Sequence, residues 1–173
     1  MATPAANNHI RPCAADDFPR ILDIINEAAA AYRGVIPADC RHEPYMTVEQ
    51  LRCDIALGVS FVGVEYVQAL VGVMGVQVVR DVALICHAYV LPAFQRNGVG
   101  GALIRHLIAA STRQLLVGTW AAATWASAFY RRHGFELVGP TRKDALLRAY
   151  WDIPARQRET SVVLARPALA DGR

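Results

Sequence analysis

A glycine-rich run that follows an apolar segment is the strongest chemical signal in the sequence. The run from Pro92 to Ala102 contains, in order, Gln95, Arg96, Asn97, Gly98, Val99, Gly100, Gly101 and Ala102. Glycines let backbone amides turn inward with no Cβ in the way, and a helix that starts there adds unpaired N–H groups and the positive end of its dipole. Such a loop can bind a pyrophosphate. A tight turn before a glycine-rich helix is the simpler alternative. The dinucleotide fingerprint G-x-G-x-x-G does not fit, because Leu103 stands at its third glycine position.

The elements that position this run follow from apolar periodicity and from turn and cap signals. The predicted strands are Ile10–Cys13, Phe61–Val67, Leu70–Val79, Val82–Leu91, Leu115–Thr119, Phe135–Val138 and Thr160–Ala165. The first predicted helix begins near Pro19 and ends near Tyr32, and the second begins at a Thr47 and Gln50 capping box and ends at Gly58. The other predicted helices are Gly98–Ala110, Ala121–His133 and Lys143–Tyr150. Strands alternating with helices predict an α/β fold. The second, third and fourth strands should form an antiparallel meander.

Length and composition indicate a single domain over residues 1–173, with a core at about residues 9–165 and short flexible ends. The 173 residues are 54% hydrophobic and 19% charged, which suits a compact globule. Residues 1–8, rich in Ala, Pro and Asn, are expected to be frayed, and a polar tail should follow the last strand.

The charged residues exclude several functions. Lys143 is the only lysine, and its context suits neither a Walker phosphate loop nor a lysine Schiff base. A net charge of +3 without a basic run favours a small anionic ligand over nucleic acid.

Cysteine usage and hydropathy indicate the compartment. The cysteines Cys13, Cys40, Cys53 and Cys86 form no C-x-x-C pair, and no signal peptide precedes them, so we expect a reducing cytoplasmic location. The longest uncharged stretches, residues 66–79 and 114–130, are shorter than the ~20 apolar residues of a membrane span, so no membrane segment is expected.

Two landmarks resemble the GNAT superfamily of N-acetyltransferases. Gln95, Gly98 and Gly100 match the Gln/Arg-x-x-Gly-x-Gly/Ala signature for acetyl-CoA, and the segment from Phe129 and Tyr130 to Gly134-Phe135 is similar to the family's Tyr-x-x-x-Gly-Phe segment. The resemblance covers about residues 9–165. It implies the acyl-CoA N-acyltransferase (GNAT) fold, a central, mixed, mostly antiparallel sheet of six or seven strands flanked by about four helices. In that fold the fifth strand diverges from the fourth.

The resemblance also implies how acetyl-CoA, the co-substrate, would bind. Amides from Arg96 to Ala102 should hold the pyrophosphate, and the side chain of Gln95 belongs to the same signature. The main chain of Tyr89, Val90 and Leu91 should pair with the pantetheine arm as an added strand would. Phe129 of the second landmark is expected beside the cofactor. No metal is implied.

For catalysis, the resemblance implies direct attack of an amine on the thioester, with Tyr130 as proton donor. An unperturbed phenol is a weaker acid than a thiol by about 1.5 pKa units, so the transfer is uphill by roughly 2 kcal/mol and the site must assist it. A tyrosine that only packs in the core is the alternative. Many family members place a Glu on the fourth strand as general base. Here His87 is the best replacement, and a His that only satisfies a neighbour is the alternative. Cys86 is interpreted as packing.

The loop between the first two helices is the expected acceptor side. It is dense in polar and aromatic groups, and our substrate-binding candidates are Arg33, Arg41, His42, Glu43 and Tyr45. An ordinary solvated loop is the alternative for each of them. Glu43, acting through a water, is a second candidate base. Arginines there would suit an acceptor with a carboxylate or phosphate beside its amine.

Two further features depart from the family pattern or extend it. Ala123 stands where the family commonly has an Asn, so the contacts of that Asn are in doubt. Trp120 and Trp125 either flank the coenzyme arm or pack in the core. The expected partners are acetyl-CoA and an unidentified small amine. A homodimer, a longer acyl donor and a non-catalytic acyl-CoA-binding module of the same fold stay open.

Overall fold

The computed structural model describes residues 9–169, in which strands and helices alternate as an α/β fold. The strands are β1 (His9–Pro12), β2 (Ser60–Tyr66), β3 (Ala69–Val79), β4 (Val82–Val90), β5 (Gln114–Trp120), β6 (Glu136–Leu137) and β7 (Ser161–Arg166). The helices are α1 (Phe18–Ala28), α2 (Val48–Ala56), α3 (Val99–Ala110), α4 (Thr124–Arg132), α5 (Pro140–Tyr150) and α6 (Ala155–Glu159). The expectations of a frayed start and of the end of the polar tail lie outside the described residues. No helix within residues 9–169 is long and apolar enough to cross a membrane.

All seven strands form one sheet in the order β1-β2-β3-β4-β5-β7-β6. Every neighbouring pair is antiparallel except β4 and β5, which run parallel. The predicted mixed, mostly antiparallel sheet is therefore confirmed, with seven strands. The expectation of about four helices was too low, since the described residues hold six. The unpredicted helix is α6, five residues with no apolar periodicity that would reveal it.

The two parallel strands separate halfway along their length. Their register runs from Val82 opposite Gln114 to Ile85 opposite Val117 and ends there. On the edge that pairs with β3, the register shifts. Cys86 lies opposite Gly75 and Tyr89 lies opposite Val73, so β4 has one extra residue between these two pairs. This bulge contains His87, whose φ of +49° is unusual for a residue other than glycine. Beyond the bulge, the β5 side of β4 is open.

Buried aliphatic side chains fix the helices against the sheet. Ile24 and Ile25 of α1 and Leu103 and Ile104 of α3 are each 0% exposed, at the helical spacing that the sequence predicts. Leu51 of α2 is buried in the same core. The end of α1 and the start of α3, which border the open edge of β4, are thereby held in place.

The predicted capping box opens α2. The Thr47 hydroxyl accepts a hydrogen bond from the Gln50 amide at 3.1 Å, and the Gln50 side chain accepts one from the Thr47 amide at 3.0 Å. We expect Thr47→Ala to lower the free energy of unfolding by about 1 kcal/mol. Urea denaturation measures this change. Thr47→Ser, which keeps the hydroxyl, is the control and should lose much less; an equal loss in both variants would contradict a capping role.

Candidate active site

A cleft of about 950 Å³ lies where β4 and β5 separate. Its lining comes from the end of α1, the bulged half of β4, the end of β5, the start of α3, α4 and the segment around α6. This volume is near the upper end for small-molecule sites. The cleft therefore brings both sequence landmarks into one cavity.

The loop that enters α3 presents six consecutive amides without an acceptor. Arg96 and Gly98 adopt left-handed backbone conformations, with φ of +61° and +81°, and Gly98 caps the helix. Within the described residues, the amides from Arg96 to Gly101 make no hydrogen bond. The Ala102 amide donates to the Gly98 carbonyl at 2.9 Å, so the free set ends one residue earlier than expected from the sequence. Such a row of amides is an anion-binding concavity.

The glycines of this loop sit close to side chains from α3 and α4. A Cβ on Gly100 would lie 3.4 Å from the Phe129 ring, and one on Gly101 would lie 3.0 Å from the Arg105 guanidinium and 3.4 Å from His133 Nε2. His133 Nδ1 is 2.9 Å from the Phe129 carbonyl. Arg105 and His133 were not candidates in the sequence. The position of Arg105, one helical turn after Gly101, was the signal that could have identified it.

The main chain of β4 offers one residue to the cleft in this region. The Leu91 amide donates to the Val71 carbonyl at 2.9 Å, so Leu91 is bonded to β3. Because hydrogen-bonding direction alternates along an antiparallel pair, the N–H and C=O of Val90 point away from β3 and towards the cleft. The Gln95 side-chain amide donates to the Val90 carbonyl at 3.0 Å. Val90 is thus the strongest of the three predicted pantetheine partners.

Tyr130 is 5% exposed and lines the cleft. Its ring packs edge-on against Phe129 and Phe135, with centroid distances of 5.1 and 5.6 Å. Its hydroxyl makes no hydrogen bond to the described residues, which contain no fully buried side-chain polar atom without a partner. The hydroxyl is therefore open to the cavity. Burial raises the pKa of Tyr130 well above its ordinary value, so the phenol stays protonated.

His87 forms a pair with a carboxylate that the sequence did not reveal. Its Nε2 is 2.9 Å from Asp54 Oδ2 of α2, and its ring stacks near Phe61 at 5.9 Å between centroids. Asp54 lies 33 residues earlier in the chain, so no local spacing signals the pair. Burial raises the pKa of the neighbouring Cys86 thiol to about 12. A thiol that stays protonated is consistent with the packing role expected for Cys86.

Of the five acceptor-loop candidates, Tyr45 lines the cleft. Asn26 fixes this position because its side chain makes two hydrogen bonds to the main chain of Met46, at 2.9 and 2.8 Å. The Tyr45 hydroxyl accepts a hydrogen bond from the Tyr89 hydroxyl at 2.9 Å.

The other four candidates, Arg33, Arg41, His42 and Glu43, lie outside the lining of the cleft. Glu43 is paired with Arg41 and lies 3.7 Å from Arg33. The Glu43 side chain is 58% exposed. The charged side chains of this loop thus contact one another and not the cleft. The roles of Glu43 as a base and of the arginines as substrate ligands stay predictions.

The neighbourhood of the missing Asn is filled by apolar groups. Ala123 is 0% exposed and its carbonyl accepts the first hydrogen bonds of α4. Trp120 and Trp125 both line the cleft, and Trp125 is 45% exposed. No group of three His, Cys, Asp or Glu side chains suited to a metal occurs within residues 9–169.

Comparison with known proteins shows which family and which fold the chain resembles. Residues 58–137 match the family model described as an acetyltransferase (GNAT) domain, whereas no curated protein matched the sequence. A PaiA N-acetyltransferase from Thermoplasma acidophilum, solved with coenzyme A, is 16% identical with a TM-score of 0.66, over 92% of this chain and 98% of that chain. A ribosomal-protein-alanine N-acetyltransferase from Escherichia coli is 21% identical with a TM-score of 0.68, over 96% and 97%.

A third solved structure is similar over the same region. It is a GNAT family acetyltransferase from Elizabethkingia anophelis with acetyl-CoA bound, 19% identical with a TM-score of 0.63, over 92% of this chain and 97% of that chain. At these identities the structural likeness shows the fold. The chain therefore has the fold of the GNAT acetyltransferases, and residues 58–137 match the domain model of that family, which confirms the resemblance seen in the sequence.

Proposed function

We propose that the protein is an N-acetyltransferase that moves the acetyl group of acetyl-CoA to the amine of a small molecule by direct attack. The observation that carries this proposal is the row of six unpaired amides from Arg96 to Gly101 beside a cleft that Tyr130 also lines. An anion site and a proton donor in one cavity suit a substrate with both a phosphate group and a reactive end.

The cradle residues fit a pyrophosphate. The amides donate to phosphate oxygens, and the α3 N-terminus adds its dipole. Arg96, Arg105 and Arg132 also line the cleft and supply positive charge. Val90 can pair with an amide of the pantetheine arm once the Gln95 side chain releases its carbonyl. Acetyl-CoA supplies the activated thioester.

In the proposed reaction Tyr130 protonates the leaving sulfur. In the transfer a C–N bond forms, the C–S bond breaks, and the sulfur takes the proton of the Tyr130 hydroxyl. An unperturbed phenol would make this transfer uphill by roughly 2 kcal/mol. Burial makes Tyr130 a still weaker acid, but the same apolar surroundings raise the proton affinity of the thiolate, so the difference between the two groups decides the outcome.

In the proposed reaction His87 accepts the proton that the amine loses. With Nε2 directed at Asp54, the neutral imidazole has Nδ1 as its basic nitrogen. The proton gained by His87 and the proton lost by Tyr130 are then exchanged through water, which resets both groups. The pair on β4 and α2 thus replaces the missing Glu, and it favours an enzyme over a non-catalytic acyl-CoA-binding module.

Asp54 acts in this scheme as a positioning residue. We expect Asp54→Asn to lower kcat by about 10-fold. The amide can present its NH₂ group to His87 Nε2 and so favour the tautomer in which Nδ1 is not basic. The loss is smaller than the 10²–10⁴-fold effect of a general base, because the amide can also present its oxygen and keep the original tautomer. The dissociation constant for acetyl-CoA and the midpoint of thermal unfolding should not change. Steady-state kinetics and calorimetry measure these quantities. Glu49→Gln, which removes an exposed carboxylate from the same helix, is the control, and equal kcat in both variants would contradict the role of Asp54.

Isothermal titration with acetyl-CoA, followed by thiol release in the presence of amines, tests the proposed function. We expect micromolar binding and amine-dependent release of CoA with one acetylated product per thiol. Binding without release by any amine would favour the non-catalytic module. Absence of binding would remove the proposal altogether. Comparing acetyl-CoA with butanoyl-CoA tests whether the cleft accepts a longer acyl donor.

A further inference from the structure

The charged groups of the cleft come from few elements. Arg96, Arg105, Arg132 and His133 belong to the loop before α3, to α3 and to the end of α4, the segments that form the amide cradle or contact it. The rest of the lining contains one further charged or imidazole side chain, His87, and the lining as described includes no Asp, Glu or Lys. Apart from His87, the lining from the other elements therefore offers an acceptor no cation for a carboxylate and no anion for a second ammonium group.

Aromatic side chains form much of the remaining lining. All three tryptophans of the chain and four of its six tyrosines line the cleft. The Tyr32 ring centroid lies 5.5 Å from Trp125, 6.2 Å from Tyr45 and 6.4 Å from Tyr89. These groups come from the turn after α1, the loop between α1 and α2, β4 and α4. The sequence separates them widely and the fold brings them together.

Two of the hydroxyl groups on these rings bond to one another. The Tyr89 hydroxyl donates to the Tyr45 hydroxyl at 2.9 Å. Burial raises the pKa of Tyr32 to about 12, so its hydroxyl stays neutral. What the rings present to an acceptor is consequently flat apolar surface, whose faces also attract an ammonium group.

The arginines expected to bind an acidic acceptor are occupied elsewhere. Arg33 and Arg41 approach Glu43, outside the lining of the cleft. An acceptor carboxylate placed among the tyrosine and tryptophan rings would lose water without gaining a partner, which is strongly unfavourable. The structure thus favours an acceptor without an acidic group.

We propose that the acceptor is a primary amine attached through a short chain to an aromatic or similarly flat apolar body, with no carboxylate or phosphate. The proposal rests on the proposed acetyltransferase function. In it, the ring of the acceptor packs among Tyr32, Tyr45 and Trp125, and its amine points along β4 towards His87. An amino acid with the same ring is disfavoured by its carboxylate, and an aliphatic diamine lacks the apolar body.

Matched pairs of amines test the proposal with the full-length chain at saturating acetyl-CoA. We expect kcat/KM for tryptamine to exceed that for tryptophan by at least about 100-fold, and 2-phenylethylamine to exceed phenylalanine similarly. Putrescine should be a poor acceptor. If tryptophan or putrescine reacts with the same kcat/KM as tryptamine, the proposal is wrong. It is also wrong if the chain binds acetyl-CoA but acetylates neither aromatic amine.

Two further measurements separate this proposal from the proposed function. Calorimetry should show that the CoA-bound chain binds tryptamine and not tryptophan, whether or not acetyl transfer occurs; the reverse preference contradicts the proposal. Failure to bind acetyl-CoA would instead contradict the proposed function. Trp125→Ala, at a partly exposed position, should raise KM for tryptamine about 10-fold with unchanged acetyl-CoA affinity. Leu57→Ala, at a more exposed apolar position outside the lining, is the control, and an unchanged KM in Trp125→Ala would count against the aromatic wall.

Discussion

Gly100→Glu is expected to weaken the binding of acetyl-CoA by at least about 100-fold. The new side chain would start at a Cβ only 3.4 Å from the Phe129 ring and would have to extend over the amides of the α3 N-terminus. Its carboxylate would take hydrogen bonds from amides that are free in this structure, and it would repel the phosphates of the ligand. Isothermal titration of both proteins measures the loss.

Gly139→Glu is the matched control for this substitution. Gly139 has an ordinary φ of −61°, and a Cβ there would meet no atom within 4 Å. It also lies outside the lining of the cleft, so the added charge should leave acetyl-CoA affinity unchanged. Equal affinity in Gly100→Glu and in the wild type would mean that the phosphates bind elsewhere, provided that both variants unfold at the wild-type temperature.

Tyr130→Phe is expected to lower kcat by about 10²–10³-fold, within the range of general acid catalysis. The phenyl ring keeps the packing against Phe129 and Phe135, and the lost hydroxyl has no hydrogen-bond partner among the described residues. The dissociation constant for acetyl-CoA and the stability of the fold should therefore stay close to those of the wild type. Thiol release at saturating acetyl-CoA and acceptor measures kcat.

Tyr150→Phe provides the comparison for a tyrosine outside the cleft. Its hydroxyl donates to Asp81 on the protein surface, so losing it should leave kcat unchanged. A Tyr130→Phe enzyme with wild-type kcat would show that Tyr130 only packs in the core and that another group protonates the sulfur.

Most of the fold was predictable because local patterns and tertiary packing agree. The three strands of the meander and the two strand-to-helix units carry continuous apolar runs, so their positions follow from periodicity. The α6 helix could not be predicted, since it is held by tertiary contacts and not by an apolar face. The left-handed conformation of His87 likewise depends on the pairing of β4 with β3, which no local sequence signal specifies.

The candidate site was predictable where it consists of main-chain groups. A glycine pattern reports on its own conformation, so the sequence could indicate the loop in which the amides from Arg96 to Gly101 are free. Side-chain partners from distant segments could not be found in this way. Asp54 opposite His87, and His133 beside Gly101, are brought into contact only by folding. The aromatic lining of the cleft has the same origin, because its rings are spread from Tyr32 to Trp151.

Because all three tryptophans line the cleft, the intrinsic fluorescence of the protein reports on this cavity. Indole emission depends on local polarity and on nearby quenchers, and here Trp120, Trp125 and Trp151 all border the same cavity. The fluorescence of the whole chain is therefore the fluorescence of the site, free of background from indoles elsewhere. Cofactor and acceptor occupancy can be followed in real time on the unlabelled, unmodified enzyme.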